Sequence, residues 1–122
     1  MIWLFLADAD LKRAIVDGVL RREQSIDFKL AERVPLEGLP DLEVLDIAAL
    51  EQRVLVTYYV STMPIHIAEF VGLRNSPGVV IAPQHLPVGQ VIEALLFIVN
   101  VAIPADLENR ICLLPSFVTY GF

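Results

Sequence analysis

Asp8 and Asp10 stand two residues apart where the apolar run Ile2 to Ala7 gives way to polar sequence. Asp41 and Glu43 stand two apart at the head of a second helical pattern. In an extended segment residues i and i+2 point the same way, so Asp8 and Asp10 are expected to project together from a strand end. If the second pair meets them at one rim, the carboxylates repel unless a hard divalent cation such as Mg²⁺ or Mn²⁺ lies among them. Such an ion generates a nucleophilic hydroxide and stabilises the charge developing on a phosphodiester. A second reading is open at the same residues. Asp is a favoured helix N-cap, and acids in a first helical turn suit the helix dipole. On spacing alone, capping is the stronger of the two.

Other groups with reactive potential read more simply. In "VLVTYY", Val54 to Tyr59, an apolar strand ends in Thr57 and two tyrosines, at the position where open α/β sheets gather ligands. Tyr59 either contacts a phosphate or stacks on a base, or caps the core with its hydroxyl toward water; the second reading is preferred. Ser61 and Thr62 suit helix entry better than nucleophilic attack. His66 and His85 are too far apart for a helical zinc pair. The single Cys112, inside "ICLLP", reads as core. Neither a glycine-rich phosphate loop nor a dinucleotide fingerprint is present.

The elements that must position these residues alternate. "IWLFLA" is a strand with both faces covered. "DADLKRAIVDGVLRRE" is a helix with Leu11, Ala14, Ile15 and Val19 inward. "SIDFKLAE" sets Ile26, Phe28 and Leu30 against Asp27 and Lys29, as in a half-exposed strand. After a loop with Pro35, Gly38 and Pro40, "DLEVLDIAALEQR" is a helix presenting Leu42, Leu45 and Ala49. "VLVTYY" follows. Pro64 suits the first turn of a third helix. "VVIAP" is a strand, Pro87 opens a long helix over about 88–102, and "RICLLPS" is a last short strand. This β-α-β-α-β-α-β-α-β order predicts a three-layer α/β/α sandwich with a mainly parallel sheet. One domain is expected over residues 1–116, with 117–122 as a tail. In the long helix, Val88, Val91, Ile92, Leu95, Leu96 and Val99 are expected to face the sheet, leaving Phe97, Ile98 and Val101 pointing partly away. A helix apolar nearly all round needs a second cover, and the expected one is another copy of the chain in a homodimer.

Bulk properties agree. Of the 122 residues 56% are hydrophobic, yet the longest apolar stretch, Val91 to Ile103, contains Glu93 and Asn100. It is short of the roughly 20 residues that span a bilayer, so no membrane partner is expected. The opening residues lack a basic leader, and a lone cysteine suits a reducing compartment; the chain reads as cytoplasmic. The formal charge is −6, against a basic nucleic-acid stripe overall, but Lys12, Arg13, Arg21, Arg22, Lys29 and Arg33 crowd the first third. These form either a solvated face or a local phosphate-contacting patch, the former being preferred.

Three blocks carry a resemblance: "LADAD", "GLPDLEVLDIAALEQRVLVTYYVSTMP" and "SPGVVIAPQHLPVGQVIEALLFI". Together they resemble a branch of the PIN-like superfamily, small bacterial proteins related to toxin ribonucleases, over about residues 2–115. PIN domains hold Mg²⁺ or Mn²⁺ with acids at strand ends and cut RNA. Asp8 matches the first acid of the branch. Ala9 stands where Glu is usual and Asp10 where Asn is usual. Glu43 matches a recurring Glu, and Thr57 the Thr that closes the strand. Gln90 and Glu93 match the long helix. Tyr59 stands where an Asp is expected, and a phenol, neutral near pH 7, is a poor ligand for Mg²⁺. The resemblance therefore implies a degenerate relative with lost or weakened cleavage, acting by binding. Asp8, Asp10, Asp41 and Glu43 are its catalytic candidates, and Asp8, Asp10 and Glu43 the metal candidates. Thr57, Tyr59, Lys12 and Arg13 are the substrate-binding candidates. The alternatives are an active Mg²⁺- or Mn²⁺-dependent toxin-type ribonuclease, and an interaction module using the long helix. A small antitoxin-like protein and RNA are the implied partners.

Overall fold

The computed structural model describes residues 2–30, 41–58, 65, 68–70, 74–116 and 119–121, with the side chains of 41, 42 and 119–121 not described. Among the described residues six strands form one sheet. In chain order the elements are β1 (Leu4–Ala7), α1 (Arg13–Arg22), β2 (Asp27–Lys29), α2 (Asp41–Leu50), β3 (Val54–Tyr58), β4 (Val79–Ala82), α3 (Val88–Val101), a 3₁₀ turn (Pro104–Leu107), β5 (Arg110–Leu113) and β6 (Thr119–Gly121). The strand order is β2-β1-β3-β4-β5-β6. The first five are parallel, and β6 runs antiparallel to β5. The expected three-layer α/β sandwich with a mainly parallel sheet is the fold observed. The segment read as a tail differs: residues 119–121 extend the sheet as an edge strand rather than lying outside it.

Side chains alternate strictly across the sheet. Phe5, Ala7, Val54, Val56, Val80, Ala82 and Cys112 pack beneath α1 and α3. Leu6, Leu55, Val79, Ile81 and Ile111 pack beneath α2, together with Phe70 from the β3–β4 connection. Every residue of β4 is buried, which is why its sequence is an unbroken apolar run. On α1 the inward residues are Ile15, Val16, Gly18 and Val19. Ala14 is exposed, contrary to its expected place. On α3 the buried residues are Val91, Ala94, Leu95 and Ile98. Ile98 is expected outward, but it lies seven residues after Val91 by steps of four and three through Leu95, and it is buried with them. Helices α1 and α3 touch closely at Gly18, where a Cβ would stand 2.3 Å from Ile92 Cδ1.

The crossovers do not share one hand. From β1 to β2 the chain steps one way along the sheet, over the face that α1 covers. From β2 to β3 it steps the other way over the opposite face, which preserves the hand. From β4 to β5 it again steps that other way, but α3 covers the α1 face, so this crossover has the opposite hand to the first two. Right-handed crossovers make up about 98% of such units. Val80, Ala82, Cys112 and Leu114 share one buried cluster with the inward residues of both α1 and α3, and the two helices pack side by side.

At the β2 edge, charged groups take over from apolar ones. Arg53 donates to the carbonyls of Phe5 (3.1 Å) and Asp27 (3.3 Å) and to Asp27 Oδ1 (3.0 Å), tying together β1, β2 and the entry to β3. Glu51 Oε1 accepts from Lys29 Nζ at 2.8 Å and Arg53 Nε at 3.0 Å. The Lys29 hydrogen bond, opposed by partial burial and helped by Arg53, holds the Glu51 carboxyl below its ordinary 4.5. A depressed carboxyl contributes stability above its unfolded value and loses it as pH falls through the folded one. Glu51→Gln is therefore expected to cost about 1 kcal/mol at neutral pH. Urea titrations of the two proteins should converge well below pH 4.5; a gap unchanged in acid would refute the ion-pair account.

Candidate functional site

Five parallel strands place their carboxyl ends along one edge. The chain leaves β1 toward β2 on one side and β3 toward β4 on the other, so the order reverses between β1 and β3. In open α/β sheets that switch point is where a crevice opens and ligands collect. Asp8 and Thr57 meet there. The Asp8 amide donates to the Val56 carbonyl at 3.0 Å, carrying the β1–β3 ladder one residue past the strand. Thr57, 1% exposed, donates from Oγ1 to Asp8 Oδ2 at 2.7 Å. The Ala9 amide donates to Asp8 Oδ1 at 2.8 Å. Both carboxylate oxygens are thus held by donors, with lone pairs left over.

This geometry overturns one of the two readings of the first acidic pair. The N-cap of α1 is Lys12, with no side-chain capping bond, and the first turn of α1 contains no acid. Asp8 spends its carboxylate on Thr57 instead. Asp10 does not follow Asp8 along an extended strand, because residues 9 and 10 form a turn, and Asp10 is exposed. Glu43 is exposed in the first turn of α2, a helix that starts on the same edge; Asp41 is its first residue. Among the described residues no three His, Cys, Asp or Glu side chains come together as a metal-binding group. Of Asp8, Asp10 and Glu43, Asp8 alone is both half-buried and fixed in orientation. The described carboxylates do not by themselves make a Mg²⁺ or Mn²⁺ site.

The substrate-binding candidates separate as well. Thr57 is a buried support for Asp8 rather than an open contact. Lys12 is exposed beside the rim, and exposed Arg13 pairs with Asp17 at 3.7 Å. Tyr59, Ser61, Thr62, Pro64, His66 and Arg33 lie outside the described residues. Tyr58, the other half of the tyrosine pair, is half-buried and packs against the core under α1 and α3. Cys112 is buried, and burial pushes its thiol up. It is a core residue, as its setting in "ICLLP" suggests. Gln84 carries no motif of its own in the sequence. With His85 it lies beside a groove of about 620 Å³ at the carboxyl ends of β4 and β5, lined by Ile81, Pro83, Leu113 and Leu114. The "PQH" turn after an apolar strand was the available signal.

No family model matches the chain, and no curated protein or solved structure matches it either. Among the described residues no helix is long and apolar enough to cross a membrane.

Proposed function

We propose that the protein is a degenerate relative of metal-dependent PIN-like ribonucleases that binds single-stranded RNA at the carboxyl edge of its sheet without cutting it efficiently. The observation that carries this reading is the Asp8 carboxylate, fixed by buried Thr57 at the switch point. A carboxylate at that place is what a phosphodiester-cleaving ancestor would need, and the β1–β3 pairing sets it at the carboxyl edge of the sheet. Ala9 and Tyr59, standing where the resemblance expects acids, explain the loss of cleavage. Lys12 beside the rim supplies a cation for a phosphate. The setting implied by this reading is cytoplasmic.

The test is one cleavage and binding series on labelled single-stranded RNA, with Mn²⁺ and with chelator. Wild type is expected to retain RNA without cutting it, and Tyr59→Asp to gain cleavage that Asp8→Asn, added to it, abolishes. Cleavage by wild type that disappears in Asp8→Asn alone would replace this reading with that of an active ribonuclease. Absence of RNA retention at low salt would remove the RNA reading altogether.

A second reading, an interaction module, is favoured by one observation. Val101 at the end of α3 is 61% exposed and Ile103 just beyond it 46%. Apolar side chains so placed suit a second copy of the chain or a small antitoxin-like protein. Sedimentation of the purified chain across concentrations decides the homodimer: a shift to twice the mass that Val101→Glu reverses supports it, and a monomer throughout removes it.

A further inference from the structure

The groove at the ends of β4 and β5 has a chemistry different from that of the switch point. Among the described residues its walls are Ile81, Pro83, Leu113 and Leu114, and Gln84 and His85 supply its polar side chains. None of these six is an acid, a lysine or an arginine. Its volume of about 620 Å³ is in the range of small-molecule sites, which are mostly apolar with a few placed hydrogen-bonding groups. An uncharged lining of this kind rejects a bare phosphate and accepts a neutral, flat ring. The two polar side chains complement a ring with a hydrogen-bonding edge. Gln84 offers a carbonyl acceptor and an amide donor, and a neutral imidazole offers one donor and one acceptor. Both are exposed, free to turn toward a ligand.

Position adds to chemistry. Tyr58 pairs in register with Ala82, and Pro83 follows directly. The groove thus begins on the strand next to Thr57 and continues to β5. With strands about 5 Å apart, it lies about 10–15 Å from Asp8 along the same edge. A strand of RNA with a phosphate at the switch point reaches that far within a few nucleotides.

We propose that this groove is a nucleobase-binding pocket, taking one unstacked base against Pro83 and Leu113 and reading its edge with Gln84 and His85. The proposal deepens the RNA reading above and rests on it for the polynucleotide, but the pocket itself is testable with single nucleosides. Stacking and edge contacts carry the binding, as in other single-strand sites. The pocket supplies the base contact and the rim the phosphate contact.

The experiment is an NMR titration of the full chain with adenosine, uridine and ribose 5-phosphate. Saturable shifts of the His85 imidazole and Gln84 amide signals with a nucleoside, but not with ribose 5-phosphate, are expected. His85→Ala and Gln84→Ala, both at exposed positions, should each weaken nucleoside binding roughly three- to tenfold. Shifts with ribose 5-phosphate alone would show a phosphate site and overturn the base assignment. So would nucleoside binding unaltered in both variants, or no saturable shift with either nucleoside. Nucleoside binding without RNA retention would sink the RNA reading and leave the pocket standing; RNA retention without nucleoside binding would do the reverse.

Discussion

Gly78→Ala is expected to destabilise the protein by about 3 kcal/mol or more, lowering its melting temperature by roughly 10 °C. Gly78 enters β4 with φ of 115°, a region that side chains rarely adopt. A Cβ there would stand 2.3 Å from the Leu107 carbonyl oxygen and 2.9 Å from the Leu107 carbon. Those are backbone atoms at the end of the 3₁₀ turn, and Leu107 is itself buried, so the obstacle has nowhere to move. Gly78 is also fixed at both ends of its own peptide: its amide donates to Ser76 Oγ at 3.1 Å, and its carbonyl accepts from Leu55 at 3.1 Å. Gly89→Ala is the internal control. Gly89 lies in the first part of α3 with open space where a Cβ would go, and alanine there is expected to stabilise by about 0.5–1 kcal/mol. Thermal denaturation of the two variants should move in opposite directions. A Gly78→Ala protein as stable as wild type would contradict the close approach of β4 to the 3₁₀ turn.

The second large effect belongs to β1. Phe5→Ala is expected to cost about 3–5 kcal/mol. Phe5 is fully buried, with its ring 5.6 Å from Trp3 in a stacked arrangement and 5.2 Å from Phe28 in a tilted one. Such aromatic contacts add to plain area burial. Its neighbour Leu6 is also fully buried, on the opposite face. Leu6→Ala should cost about 2–5 kcal/mol, and the two losses should add within a few tenths if the cores on the two faces act separately. Chemical denaturation of the two single variants and the double variant measures this. A coupling above about 1 kcal/mol would mean that the sheet transmits strain between its faces.

Much of this architecture is legible in the amino-acid order. The unbroken apolar runs of β1, β3 and β4 announce strands covered on both faces, and the alternation of Ile26 and Phe28 with Asp27 and Lys29 announces an edge. Period alone does not say which face of the sheet a helix covers. Period misplaces Ala14 and Ile98 because each belongs to a helix with more apolar residues than one face can take, and the neighbour that decides, α3 against α1, is remote in sequence. The hand of the last crossover was hidden for the same reason. At the site, Asp8 and Thr57 are each visible in the sequence, but their hydrogen bond follows from the pairing of β1 with β3. The i, i+2 argument for Asp10 failed because the strand ends one turn too soon. "FVTYGF" lacks a long apolar run, and only its pairing with β5 reveals residues 119–121 as a strand.

The placement of β1 has a kinetic consequence. This central strand has one neighbour, β2, close in the chain, while the other, β3, closes a loop that sets Asp8 and Thr57 49 residues apart. Loop-closure entropy must be met before such a contact gives anything back, and sheets dominated by remote parallel pairings fold slowly. The antiparallel β5–β6 pair is local and is free to form early. The Asp8–Thr57 hydrogen bond assembles only when β3 docks on β1, so the oriented carboxylate is a late feature of folding. A chain that has not yet joined β1 to β3 lacks it, and its presence marks the completed centre of the sheet.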